Sequence, residues 1–125
     1  ENTKKRLVVE NDDKENAFSI QQLYDYIHSA IHTPLTFDYF HHEFHADNLS
    51  KKEAAYLAAS TWGDITPLFH YSESKNLNEH VSGNPRAHAD YVFQKIDDYG
   101  LTIHIDLEAK AKELAFTRYM ESHMS

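Results

Sequence analysis

The chain has 125 residues, of which 41% are hydrophobic and 26% are charged, and its formal net charge is -8 at pH 7. This length and composition predict one globular domain over residues 1–125, and they argue against two domains and against disorder. The acidic charge disfavours a basic nucleic-acid binder, although a carboxylate site that holds divalent ions can still bind a phosphodiester.

The absence of cysteine restricts the chemistry of any metal site, because only carboxylate oxygens and imidazole nitrogens remain as strong ligands. Such ligands suit Mn, Mg, Fe or Zn. No stretch approaches the roughly 18 apolar residues of a membrane span, and residues 1–6 do not resemble a signal peptide. We therefore expect a cytoplasmic protein without a membrane partner. Because the first residue is not Met, we also expect a piece of a longer protein.

The first predicted strand, Leu7–Glu10, is a short β-branched run that ends in a carboxylate and precedes a polar turn at Asn11–Asp13. A helix is predicted after Ser19, which can act as its N-cap with Gln22 three residues on. This helix is expected to end before Pro34, since the residue before a proline avoids helical angles.

The second predicted strand, Leu35–Phe37, ends at Asp38 and leads into a predicted turn that is rich in metal-binding side chains. These side chains are His41, His42, Glu43 and His45. A carboxylate at a strand end, followed by imidazoles, is a typical donor set for a divalent metal.

A second helix is predicted from the capping box formed by Ser50 and Glu53 to about Ser60. The third predicted strand, Thr66–Ser72, carries His70 near its C-terminal end. A long polar loop follows this strand.

After that loop, residues 85–99 show apolar positions at helical spacing, with a proline at the first position and Gly100 as a C-cap. The fourth strand, residues 101–107, alternates apolar and polar side chains, which predicts one face covered by helices and one that lines a hydrated cavity. Glu108 follows this strand. The last helix is predicted over residues 109–120.

This order of elements predicts an α/β fold made of four consecutive βα units. Candidate ligands recur at the strand ends about every 30 residues, which is the length of a βαβ unit. They are Glu10, Asp38, His70 and Glu108. Four such units make half of a (β/α)8 TIM barrel, whose active site lies at the C-terminal ends of its strands. A doubly wound sheet is the alternative, but the chain lacks its Gly-rich phosphate loop.

Five motifs, in order between Arg6 and about Leu114, resemble those of the UV damage endonucleases, the UvdE family. They are Arg6–Lys14, Phe37–His42, His70–Glu73, Arg86–Tyr91 and Leu107–Glu113. These enzymes are metal-dependent DNA repair endonucleases with a TIM-barrel fold related to endonuclease IV and xylose isomerase. The resemblance assigns the chain to the C-terminal half of that barrel.

The resemblance also implies a function and a site. The function is cleavage of duplex DNA 5′ to a UV photolesion in excision repair, with divalent ions as cofactors: Mn first, Mg or Zn as alternatives. The implied metal ligands are Glu10, Asp38, His41, His70, His88 and Glu108. The catalytic residues are expected to be Glu10, Asp38, His70 and Glu108. One departure is Leu68, where some members carry a lysine.

The partners implied are damaged duplex DNA and the missing N-terminal half of the barrel or a second copy of the chain. A fragment, a homodimer that rebuilds a barrel and a naturally split protein all remain open. We expect the isolated half to be inactive. Two other functions are also open: a metal-dependent sugar isomerase or epimerase on the same architecture, and a non-catalytic half-barrel used for assembly.

Overall fold

A computed structural model describes residues 7–14, 17–75, 84 and 86–123. Its strands are β1 (Val9–Glu10), β2 (Leu35–Thr36), β3 (Leu68–Tyr71) and β4 (His104–Leu107). Its helices are α1 (Ile20–Gln22), α2 (Ser29–Ile31), α3 (Tyr39–Phe44), α4 (Lys51–Ala59) and α5 (Glu113–His123). A π-helical segment, Leu23–His28, joins α1 to α2, and a 3-10 turn, Ser60–Trp62, follows α4. Within these ranges, no helix is both long and apolar enough to cross a membrane.

The strands run parallel in chain order. β1 pairs with β2, and β3 pairs with β4. A parallel bridge between Asp38 and His70 connects the two pairs, and the His70 N–H donates to the Phe37 carbonyl at 2.9 Å. The C-terminal ends of the strands therefore lie at one edge, as expected for an α/β fold.

Two helix starts confirm the capping boxes expected from the sequence. The Ser19 hydroxyl accepts from the Gln22 N–H, and the Gln22 side chain accepts from the Ser19 N–H. Ser50 and Glu53 form the same reciprocal pair at the start of α4. Each box satisfies backbone donors that a helix start leaves without partners. His32, with a left-handed φ of 55°, ends the first helical stretch just before Thr33 and Pro34.

The core lies between the strands and the helices that follow them. Phe37 and Phe69 are fully buried and meet edge to face, with ring centroids 5.6 Å apart. Three alanines of α4 are also fully buried, which lets that helix approach the strands closely; they are Ala54, Ala55 and Ala58. This packing holds the C-terminal ends of β2 and β3 side by side.

The helix predicted over residues 85–99 is wrong: residues 86–99 form an irregular segment. The Glu73 carboxylate accepts from the N–H groups of Phe93 and Gln94 at 2.9 and 3.1 Å, and the Glu73 carbonyl accepts from the Ala89 N–H. These tertiary bonds take the donors that a helix would direct to its own carbonyls. Residues 76–83 of the predicted loop and Pro85 lie outside the described residues.

The last helix starts later than predicted, at Glu113 instead of Ala109. The N–H groups of Lys110 and Ala111 donate to the carbonyls of Ala89 and Asp90. The irregular segment therefore also fixes the backbone of the residues that precede α5. The strands are also shorter than predicted, with β1 starting at Val9 and β4 at His104.

Candidate metal centre

Four side chains meet at the C-terminal ends of the strands. Each offers one ligand atom, and these atoms all lie within 4.8 Å of one another. The four are Glu10 at the end of β1, Asp38 just after β2, His70 within β3 and Glu108 just after β4. They are the residues that the strand-end spacing selected. Three carboxylates and one imidazole form a donor set that fits Mn, Mg or Zn.

An ion pair between His70 and Glu10 lies at the middle of the group. His70 Nδ1 contacts a Glu10 carboxylate oxygen and lies 3.5 Å from Glu108 Oε1. The hydrogen bond with Glu10 raises the pKa of His70 to about 9 against the opposing effect of burial, and the charges of Glu10, Glu108 and Asp38 add to the rise. Burial alone would raise the pKa of Glu10, but the bond to His70 and its charge lower it. These carboxylates therefore favour the protonated form of His70, and a divalent ion bound among them would displace that proton.

Asp38 is the most deeply buried of the four, with a side chain that is 3% exposed. Its Oδ1 accepts from the His41 N–H at 2.8 Å, which makes Asp38 the N-cap of α3. Burial raises the pKa of Asp38 to about 7; the His41 bond and charge oppose this rise, while Glu10 and Glu108 increase it. A buried carboxyl beside two other carboxylates is a position that a divalent cation would stabilise. The residues present thus fit a divalent metal.

The turn predicted after Asp38 is wrong, because that segment is helix α3. The helix starts directly after Asp38 and turns the side chain of His41 back towards the site. His41 Nδ1 lies 2.8 Å from the Asn11 carbonyl oxygen and 3.4 Å from Asp38 Oδ2. A carbonyl can only accept, so Nδ1 carries the proton and Nε2 carries the lone pair when the ring is neutral.

His41 and His88 both lie outside the group of four. Burial lowers the pKa of His41, but the charge of Asp38 and the Asn11 carbonyl outweigh it and raise the pKa overall. The backbone of His88 forms an antiparallel β-bridge with Ser74. The His88 ring meets the Phe40 ring edge to face, with ring centroids 5.1 Å apart. The ligand roles implied for both histidines remain predictions.

Leu68 and Asn11 lie close in sequence to the candidate ligands. Leu68 begins β3 two residues before His70, and 38% of its surface is exposed. Asn11, which the sequence suggested only as a turn residue, is buried, and its side-chain amide bonds to the backbone of Asp38. Its partner lies 27 residues away, so the sequence offers no local signal for this contact.

Parallel strands that bring carboxylates and an imidazole to one edge define an α/β protein with a candidate divalent-metal centre. Residues 1–125 match the family described as UV-endonuclease UvdE. The chain therefore belongs to the UvdE family, as the sequence motifs predicted.

A solved structure supports the same assignment. The crystal structure of SacUVDE superimposes with a TM-score of 0.77 at 28% sequence identity. The match covers 94% of this chain and 39% of the SacUVDE chain, so this chain spans well under half the length of that relative. No match was found among curated proteins.

Proposed function

We propose that this chain supplies part of the metal centre of a UV damage endonuclease, which cleaves the phosphodiester 5′ to a UV photolesion in duplex DNA. The observation that carries the proposal is the group of four strand-end side chains, whose ligand atoms lie within 4.8 Å of one another in a chain of the UvdE family. Family membership favours this reaction over the isomerase alternative.

In this proposal, the residues that hold the divalent ions are Glu10, Asp38, His70 and Glu108, with His41 and His88 as further ligands. Bound divalent ions would neutralise charge that grows on the phosphate and activate water, with Mn as the expected metal. The protein's own contribution is to hold these donors in place. The N-cap bond fixes Asp38, and the ion pair with Glu10 orients His70.

The fold supports a further proposal, that the chain is the C-terminal half of a TIM barrel. Four parallel strands follow one another in chain order. Within the described residues, β1 and β4 each have a neighbouring strand along one edge only. A strand with one unpaired edge tends to pair with another chain. The rest of the barrel would come from a longer chain, from a second copy or from a separate polypeptide. Light scattering on the isolated chain should then show a dimer or larger species.

The charge of the chain indicates how DNA would be bound. With a net charge of -8, the chain is poorly suited to neutralise phosphates through Lys and Arg. Binding of the scissile phosphate would therefore depend on the divalent ions, and contacts to the damaged duplex on the rest of the barrel. This division predicts little or no activity for the isolated chain.

A nicking assay on the assembled protein tests the proposal. With Mn present, it should nick UV-irradiated duplex DNA and leave undamaged duplex largely intact. Glu108→Gln removes a ligand charge at nearly constant size, so the nicking rate should fall by at least about 100-fold. Binding to damaged DNA, measured by filter binding, should change far less.

Asp64→Asn is the control, because Asp64 is an exposed carboxylate in the loop before β3 and lies outside the group of four. Its nicking rate should stay within about twofold of the parent. A Glu108→Gln rate within a few-fold of the parent would contradict the proposal. Isomerisation of an aldose without nicking would favour the isomerase, and an assembled protein that bound no metal would favour the assembly role.

A further inference from the structure

We propose that Asn11 is a positioning residue. It holds the backbone of Asp38, whose carboxylate is a candidate metal ligand, at a fixed distance from Glu10. The inference rests on the proposed function only in taking these two carboxylates as metal ligands. It concerns how the site is built, and it does not depend on the substrate.

The Asn11 side chain forms two hydrogen bonds with the backbone of a single residue, Asp38. Its Oδ1 accepts from the Asp38 N–H at 2.8 Å, and its Nδ2 donates to the Asp38 carbonyl at 3.1 Å. Asn11 is 1% exposed, so water does not compete for these bonds. The amide group thus takes the place that a backbone peptide group takes in a β-ladder.

The need for this contact follows from the length of the strand pair. The ladder between β1 and β2 comprises two residue pairs, Val9 with Leu35 and Glu10 with Thr36. Asp38 lies two residues beyond the last pair, where the ladder has ended. The side chain of Asn11 extends the pairing to that position. Because Asn11 follows Glu10 directly, it fixes both carboxylates with one contact.

Asn11 also touches the segment that carries His41. Its main-chain carbonyl is the partner of His41 Nδ1 at 2.8 Å. The backbone of Asp38 also forms a parallel β-bridge with His70, and the Asp38 carbonyl accepts a hydrogen bond from the His42 N–H. Asn11 is therefore placed to set the spacing between the end of β1 and the donors that follow β2.

The other end of β2 offers a matched control for a purely structural contact. Thr61 is 8% exposed, and its Oγ1 accepts from the Leu35 N–H at 2.8 Å and donates to the Ala58 carbonyl at 2.6 Å. Like Asn11, it clamps the backbone of β2 through a buried side chain. Unlike Asn11, it lies at the end of the strand away from the candidate metal centre.

The experiment measures the affinity of the full chain for Mn²⁺ by electron paramagnetic resonance, well below the unfolding temperatures of all variants. Asn11→Leu keeps the branched shape and removes both hydrogen bonds, and Thr61→Val does the same at the control site. Both should lower the unfolding midpoint. Asn11→Leu should weaken Mn²⁺ binding about 10- to 100-fold, in the range found for residues that orient metal ligands. Thr61→Val should leave the affinity within about twofold.

The visible spectrum of the Co²⁺-loaded chain adds a readout that reports ligand geometry. At saturation, Asn11→Leu should change this spectrum, whereas Thr61→Val should leave it as in the parent. Asn11→Ser, which is too short to reach both backbone groups, should act in the same direction as Asn11→Leu and replaces it if the leucine variant folds poorly.

The outcomes separate the inference from the proposed function. If the parent binds Mn²⁺ and Asn11→Leu binds it equally well, or if Thr61→Val weakens binding as much as Asn11→Leu, the positioning role is overturned. A parent chain that binds neither Mn²⁺ nor Co²⁺ overturns the metal centre itself and the role of Asn11 with it. A loss confined to the Asn11 variants supports the inference, whether or not the assembled protein nicks DNA.

Discussion

The two strand pairs that carry the candidate ligands are held together by different hydrogen bonds. β1 and β2 share a ladder of two residue pairs, and three side chains bond to the backbone of Leu35 or Asp38: Asn11, Thr61 and Trp62. β3 and β4 share a ladder of four residue pairs. The first pair thus depends on particular side chains, and the second depends on backbone that any residue supplies.

The burial of individual positions also differs between the two strand pairs. Leu35 and Thr36 of β2 are buried, as are Phe69 and Tyr71 of β3, whereas Leu68, His104 and Asp106 on the second pair are exposed. A buried backbone group that loses its partner costs more than one that water can reach. Removing a side chain that bonds to buried backbone, as on the β1–β2 side, should therefore lower the stability more than substituting an exposed position on the β3–β4 side, whereas the ligands on both sides should matter equally for metal binding.

The largest effect should come from removing the ligands of either side. Glu10→Ala with Asp38→Ala takes both ligands from the first pair, and His70→Ala with Glu108→Ala takes both from the second. Each double variant should lose Mn binding by more than about 100-fold, because two of four donors are gone. Metal analysis by inductively coupled plasma after mild purification measures this loss.

The control for these variants is His104→Ala with Asp106→Ala, which removes a histidine and a carboxylate from exposed positions of β4. It should retain the parent's metal content. Full retention of metal in both ligand variants would sink the assignment, and loss in one alone would place the site on one strand pair.

A smaller effect is expected for stability. Thr61→Val leaves the buried Leu35 N–H without its partner, so the free energy of unfolding should fall by about 1–3 kcal/mol. Tyr56→Phe also removes a hydroxyl donor to a carbonyl, that of Tyr99, but Tyr56 is exposed, and the change should stay below about 0.5 kcal/mol. Urea unfolding measures both. Equal losses would argue against burial as the cause of the difference.

The parts of the fold that sequence predicted well are those set by neighbouring residues. The capping boxes at Ser19 and Ser50 depend on residues three positions apart, and both are present. Glu10 follows a short apolar run and Glu108 follows an alternating apolar and polar run, and both patterns predict strands. Parallel strands then bring such ends to one edge, so the group of four could be anticipated.

The parts that sequence predicted poorly depend on contacts between distant residues. Apolar spacing predicted a helix over residues 85–99, but the Glu73 carboxylate, some 20 residues earlier, bonds to the backbone of Phe93 and Gln94 instead. Asn11 reaches Asp38 across 27 residues, which no local pattern reveals. The start of α3 was missed for another reason: Asp38 was interpreted as a ligand, although its position also suits an N-cap.

A pH effect should arise at His42, which is buried beside Phe37 on the β2 side. Burial lowers the pKa of His42 below the usual 6.5. Its Nε2–H donates to the Leu49 carbonyl, and its buried Nδ1 has no hydrogen-bond partner. The unfolded chain therefore binds a proton more readily than the folded one. His42 should cost the protein stability as pH falls below 6.5 towards the folded pKa.

Urea midpoints at pH 7.5 and 5.5 for the parent and for His42→Gln measure this effect. The glutamine does not titrate and keeps an N–H donor for Leu49. Groups whose pKa is raised in the folded chain, such as His70, contribute with the opposite sign, so the comparison uses the difference between the two proteins. The parent should lose more stability on acidification than the variant; an equal or smaller loss would assign the pH dependence to other groups.

The smallest effect should be at Leu68, where the chain departs from the lysine found in some members of the family. Leu68 begins β3, 38% of its surface is exposed, and the backbone ladder to His104 does not depend on its side chain. Leu68→Lys should therefore change the free energy of unfolding by less than about 0.5 kcal/mol. Leu68→Thr, which favours a strand without adding charge, separates conformational from electrostatic effects in the same urea experiment. A loss above about 1 kcal/mol in both variants would mean that β3 relies on this side chain, which would remove the contrast between the two strand pairs. If both changes are small, residue 68 can vary without cost to the strand pair that carries His70 and Glu108.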